Sequence, residues 1–216
     1  MKRRLNILCV IVIFVLAYSV LEAAYFMGMG FTAGIKAGFR EIDAKEKKEM
    51  MNIQVISVIP HFGDNLLVDS VYNQKSGEYV PAFYGQLVVS VDTHPRISTK
   101  IISFLATMVH MIAAIWAIVV FLRLVISINK SDIFNWKNVH RLRRMGWMLF
   151  ICFICVTITA LINAFNVEKV FSLRGYSLNI SDMLDITSLV LGISALIVAE
   201  VFSIGLKMKE DQDLTI

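Results

Sequence analysis

The chain has 216 residues, of which 57% are hydrophobic, and a mean hydropathy of +0.68. A soluble domain carries about 45–50% apolar residues, so an ordinary water-soluble globule is excluded. The 21 Lys and Arg against 17 Asp and Glu leave a formal charge of only +4. With no zinc-finger spacing, and with the basic clusters abutting apolar stretches, direct nucleic-acid binding is not expected.

In chain order, the first element is Lys2-Arg3-Arg4 followed by the apolar run Leu5–Met29. The run exceeds the 7–15 residue core usual in a signal peptide, and no convincing small-x-small cleavage site follows. It reads as an uncleaved first span, with residues 1–40 as its segment. Gly30, Gly34 and Gly38 recur every four residues beyond it, a spacing that permits close helix approach within a bundle or in a homodimer.

Residues 41–99 read as a small β-rich domain. The charged stretch Arg40–Glu49 predicts a helix continuous with span one. Ile53–Ile59 and Leu66–Tyr72 are rich in branched residues, which favour strands. Asn73-Gln-Lys-Ser-Gly77 predicts a turn before Tyr79–Tyr84. Leu87, Val89 and Val91 alternate with Gln86, Val88, Ser90 and Asp92 in the pattern of a half-buried strand. These runs predict one small antiparallel sheet of about three strands. So short a segment buries little apolar surface alone, and the sheet is expected to lean on the span ends or on a partner.

Three more apolar stretches follow: Ile101–Ile128, Met145–Phe165 and Leu184–Leu206. Each matches the roughly 20 residues a bilayer core requires. Their segments are 100–128, 145–165 and, with an acidic tail, 184–216. Between them lie a basic loop, 129–144, and a short connector, 166–183. In the basic loop Asn135 predicts the cap of a short helix Trp136–Arg144 that runs into span three. Cys9, Cys152 and Cys155 all lie in apolar stretches, which makes a disulfide framework improbable. Cys152-x-x-Cys155 reads as packing, since a redox pair needs an exposed, polarised thiolate. Ala195, Ala199 and Ser203 repeat the small-residue spacing in span four. Asp185 serves the start of that span, with Ser181 as its expected cap.

Basic residues gather on the cytoplasmic side of membrane spans. Lys2, Arg3 and Arg4 precede span one, and Lys130, Lys137, Arg141, Arg143 and Arg144 lie between spans two and three. The 166–183 connector holds only Lys169 and Arg174, against Glu168 and Asp182. Both termini and the 129–144 loop are therefore expected in the cytoplasm, with 41–99 and 166–183 outside. The predicted fold is a membrane all-α protein: a four-transmembrane-helix bundle with a small extracytoplasmic β-rich insert between helices 1 and 2. An inner or plasma membrane is its expected location.

An ionisable group at bilayer depth is a functional candidate by default. Glu22, His110, Arg123 and Glu200 qualify. Depth along the spans suggests two pairs. Arg123 with Glu200 would make an inner-leaflet clamp, although an arginine also reaches lipid phosphates by itself. Glu22 with His110 would meet in the outer half, His110 lying roughly 14 Å in from the outer end of span two. The second pair reads as packing or as a titrating sensor or proton relay. His61 and His94 are isolated surface residues. No Gly-rich phosphate loop, His-x-x-x-His on a span or nucleophile elbow occurs. No enzyme, cofactor or metal is therefore expected.

Two segments carry a sharper signal: Asp132-Ile-Phe-Asn-Trp-Lys-Asn-Val-His-Arg-Leu-Arg-Arg-Met-Gly-Trp147 and Ala199-Glu-Val-Phe-Ser-Ile-Gly-Leu-Lys-Met-Lys-Glu-Asp-Gln-Asp-Leu-Thr-Ile216. Both resemble bacterial four-span membrane proteins of the domain-of-unknown-function 2975 family, and the four-span plan extends the resemblance over most of the chain. The resemblance does not extend to a match for the 41–99 segment. The family has no established activity. Its members commonly sit beside a small Cro/C1-type helix-turn-helix regulator, so the resemblance implies a membrane component of a two-gene regulatory system.

The resulting expectation is a membrane sensor or regulatory partner of a cytoplasmic helix-turn-helix transcription factor. Lys137, Arg141, Arg143 and Arg144 are candidate contacts to that partner or to lipid, and Glu210, Asp211 and Asp213 to a basic partner surface. The alternatives are a small-molecule or proton transporter using Glu22, His110 and Glu200, and a structural subunit of a membrane complex.

Overall fold

Unbroken apolar sequence with few charges gives four helices long and apolar enough to cross a membrane. They lie within α1 (Lys2–Phe39), α3 (Ile97–Asn129), α4 (Trp136–Glu168) and α5 (Ile186–Asp213). The computed structural model describes residues 2–39, 43–61, 69–130 and 134–213. Residues 66–68 of the second expected strand, 131–133 of the basic loop and 214–216 of the tail lie outside the described residues. So do residues 40–42 and the side chains of Lys2, Arg3, Arg4 and Gly38.

A short helix α2 (Ala44–Met51) precedes β1 (Ile53–Pro60), β2 (Asp69–Asn73), β3 (Glu78–Ala82) and β4 (Gln86–Ser90). A last strand, β5 (Tyr176–Leu178), follows α4. Helix α2 does not continue α1. Asp43 before it is extended, with φ −54° and ψ 142°, so a new helix starts at Ala44. The chain divides into two compact units. One comprises Met1–Glu41, Met108–Cys155 and Asp185–Ile216; the other comprises Ile42–Thr107 and Val156–Leu184.

In the second unit the strands form two sheets rather than one. Order β4-β1-β5 makes a three-stranded antiparallel sheet, and β2-β3 makes a hairpin. The insert is therefore not self-contained, because β5 comes from the 166–183 connector. Central β1 is bordered on both sides, and Ile56, Ser57 and Val58 are all buried. Ile56 and Val58 pack with Val167 and Tyr176, and with partly buried Leu87 and Val89. Along β4 Leu87 and Val89 are half-buried while Gln86, Val88 and Ser90 are exposed, as the alternation predicts. The buried Ser57 hydroxyl has oxygen partners in Gly85 O at 3.2 Å and Asp182 Oδ2 at 3.1 Å. Tyr176 ties the hairpin to the sheet: its hydroxyl donates to Asp69 Oδ2 (2.9 Å) and accepts the Tyr84 backbone N–H (3.2 Å). Burial of that phenol pushes its pKa up. The Asn73–Gly77 turn forms as expected, with Asn73 Oδ1 accepting the Lys75 N–H at 3.0 Å and Gly77 at φ 72°.

In the first unit α5 buries a row of small residues, Gly192, Ala195, Ala199 and Ser203, and then Leu206. Their spacing of three and four residues keeps them on one face. Gly146 of α4 crosses Gly192 so closely that a Cβ on Gly146 would lie 2.7 Å from Leu196 Cγ and 2.9 Å from Gly192 O. Leu124, Leu142 and Ala199 form a buried cluster, with Met145 and Phe202 against it. By contrast, α1 is apolar almost all round and stays exposed, with Cys9 its buried residue among those described. Gly30 and Gly34 have open space around them. At the start of α5, Asp185 is itself the cap: its Oδ1 accepts the Ser188 N–H at 3.1 Å. Ser181, the cap expected from sequence, instead opens a single 3-10 turn, Ser181–Met183.

Candidate functional site

Asn135 Oδ1 accepts the Lys137 N–H at 2.9 Å and so starts α4 at Trp136. The helix then continues without a break into the third span, as the expected helix Trp136–Arg144 does. Lys137, His140, Arg141, Arg143 and Arg144 thus fall on its first three turns. Cations at a helix N-terminus oppose the helix dipole, at about 0.3–1 kcal/mol each near the first turn. Local helix stability does not explain them there.

The far half of α5 meets this segment through four contacts. Arg143 Nη2 lies 2.8 Å from Glu200 Oε1. Trp136 Nε1 donates to Glu210 Oε1 at 2.6 Å. The rings of Phe134 and Phe202 stack at 5.2 Å, and Leu142 packs on the fully buried Ala199. The two polar contacts run in opposite directions along the helices, Glu200 meeting Arg143 and the later Glu210 meeting the earlier Trp136, as two antiparallel helices require. A polar node sits beside them. Asn138 is fully buried and its Oδ1 accepts from Arg141 Nη1 at 2.8 Å, while the same nitrogen lies 3.3 Å from Arg123 O.

Several expected site residues therefore sit together, and others do not. The partner of Glu200 is Arg143, not Arg123. Depth along a helix sets height but not rotation, and Arg143 is on the α4 face turned to α5. The Arg123 side chain is exposed, and only its backbone carbonyl joins the node. Glu22 is exposed on α1 and makes no hydrogen bond or ion pair among the described residues. His110 is half-buried, and its Nδ1 is buried without a partner; the expected Glu22–His110 pair is not formed. The His110 carbonyl lies 3.9 Å from Cys152 Sγ, and Cys152 and Cys155 are both buried and in no disulfide. Lys137, Arg144, Glu210, Asp211 and Asp213 are exposed. Trp136 and Asn138 were missed from sequence. The i, i+3 spacing of Asn138 and Arg141 on a predicted helix was the available signal for the latter. Among the described residues no group of three or more His, Cys, Asp or Glu is placed to hold a metal.

Four long apolar helices with exposed branched and aromatic side chains along them define a multi-pass membrane protein. Within that class, the chain belongs to the DUF2975 family, described as a protein of unknown function, whose model matches residues 65–216. No curated protein and no solved structure matches it. The match covers α3, α4 and α5, and with them every contact of the α4–α5 site.

Proposed function

We propose that this protein is a membrane-bound regulatory partner. The start of α4 and the end of α5 form the docking surface for a cytoplasmic helix-turn-helix transcription factor. The observation that supports this reading most directly is the joining of the two family-like segments, 132–147 and 199–216, through Arg143–Glu200, Trp136–Glu210 and Phe134–Phe202. Separate in sequence, they make one surface bearing exposed Lys137 and Arg144 beside exposed Glu210, Asp211 and Asp213. The basic first turns of α4 point that surface to the cytoplasm by the rule that places cations inside. Mixed charge on a rigid two-helix platform suits recognition more than lipid contact alone, which favours one sign.

The transport reading draws less support. The cleft at Glu200 is lined by Arg143, Trp147, Leu196, Ile197, Val201 and Ile204, and is apolar apart from the ion pair itself. Glu22 lies on the exposed surface of α1. Assembly with a second copy or another membrane subunit finds one favourable feature, the open Gly30 and Gly34 on α1.

The test is affinity purification from native membranes in mild detergent, with mass spectrometry of stoichiometric partners. A small helix-turn-helix protein should co-purify with the full chain. Deleting residues 209–216 should leave insertion normal and abolish its recovery. Unchanged capture by the truncated chain would remove the α5 end from the docking surface, and recovery of membrane subunits alone would favour assembly.

A further inference from the structure

The second unit contains a cleft of about 260 Å³ between β1, the chain that follows β4, the first turns of α3 and the far part of α4. Its floor is apolar, with Ile162 and the buried Val167. Its walls carry several polar side chains. Gln54, Thr93, Lys100, Ser103, Asn163 and Asn166 all line it, and none of these side chains is hydrogen-bonded or ion-paired to another described residue. They come from four separate stretches of chain, so no single element's solvent-facing side accounts for their convergence.

A second observation falls at the same place. His94 has φ 39°, and among the described residues it is the one non-glycine in the left-handed region. It stands between Thr93 and Pro95, both of which line the cleft. Residues held in such sparsely populated conformations gather at ligand sites and switch regions. The conformation is fixed from one side by Asp92, which contacts His94 Nδ1 at 3.1 Å and Lys48 Nζ at 2.9 Å. The Lys48 hydrogen bond holds the Asp92 carboxyl below the usual carboxylate range. The acid nearest in sequence to this wall is thus already paired with Lys48, and among the described residues Lys100 is the one charged residue lining the cleft.

We propose that this cleft binds a small hydroxylated carboxylate of single negative charge. Lys100 faces the carboxylate. The amides of Gln54, Asn163 and Asn166 and the hydroxyls of Thr93 and Ser103 supply both donors and acceptors for the hydroxyl groups. One cation without an opposing acid selects one negative charge. The volume of about 260 Å³ lies below the roughly 300–1,000 Å³ of drug-sized sites and suits a ligand of metabolite size. This inference goes beyond the regulatory reading and does not depend on it, because binding is measured on the purified chain with no partner present.

The experiment is calorimetric titration of the full-length protein in lipid nanodiscs with gluconate, sorbitol and inorganic phosphate. Sorbitol keeps the hydroxyls of gluconate and lacks its charge; phosphate is an anion without the carbon chain. Gluconate should bind saturably, and at least about tenfold more tightly than either. Lys100→Gln and Asn166→Asp, both at solvent-accessible positions, should each weaken it about tenfold or more. Three results would overturn the proposal: no saturable gluconate binding, gluconate binding no tighter than sorbitol or phosphate, or Lys100→Gln binding like the wild type. Loss of the cleft reading on any of these leaves partner capture by α4 and α5 untouched, and loss of partner capture leaves the titration untouched.

Discussion

Gly146 is the residue on which the α4–α5 packing turns. A Cβ added there meets Leu196 Cγ at 2.7 Å and Gly192 O at 2.9 Å, and the second of these is backbone. The helices must separate to admit it, and overpacking of this kind costs about 1–3 kcal/mol. Gly146→Ala should therefore unfold more readily in mild detergent by about that amount. Gly205→Ala, with open space around it, should behave like the wild type. Equal stability of the two variants would mean that α4 and α5 do not cross at Gly146. The same scale shows why Ala195, Ala199 and Ser203 are small. All are buried against a neighbour, and their spacing was legible in the sequence. The identity of the neighbour was not, because a small-residue ridge does not encode which helix lies across it.

At the scale of elements, α4 and α5 are fastened twice near the basic end, by Arg143–Glu200 and Trp136–Glu210. The ion pair is accessible, its side chains 39% and 62% exposed. Its surroundings are nevertheless apolar, with Ile197, Val201 and Ile204 alongside. In water such a pair contributes about 0.2–1 kcal/mol. Against hydrocarbon the effective dielectric is lower and the attraction larger. A double-mutant cycle with Arg143→Gln and Glu200→Gln in a bilayer should give a coupling energy above about 1 kcal/mol. A value near zero would place the pair in water or apart. Sequence reading found Glu200 and an arginine to answer it, and chose Arg123 by depth. Arg143 wins because α4 begins at Trp136, so that its basic residues ride on a rigid helix that faces α5.

Across the whole molecule, β5 carries information about topology. Its pairing with β1 joins the connector after α1 to the connector after α4 in one sheet, and both connectors must then lie on the same side of any membrane the helices cross. The Cα partners Ile59 and Ser177 allow a direct check. With Cys9, Cys152 and Cys155 replaced by alanine, Ile59→Cys together with Ser177→Cys should cross-link on mild oxidation and shift mobility on a non-reducing gel. Each single-cysteine chain should not. Absence of the cross-link in the double variant would contradict the β1–β5 register.

The four apolar helices, the Asn73–Gly77 turn, the half-buried pattern of β4 and family membership were all determined by sequence alone. The first three depend on composition or periodicity within one stretch, the last on the resemblance of two quoted segments, and a long apolar run has few ways to satisfy its backbone other than as a helix. Only the tertiary structure decided that β5 exists, since three residues carry no readable period and Tyr176–Leu178 is a strand because β1 offers it an unpaired edge. It also decided that α2 starts afresh, that Asp185 rather than Ser181 caps α5, and that Glu200 answers Arg143. Partner choice depends on rotation and crossing of elements far apart in the chain. Those are set by how small and large side chains interlock, a property of two surfaces together that neither sequence segment contains by itself.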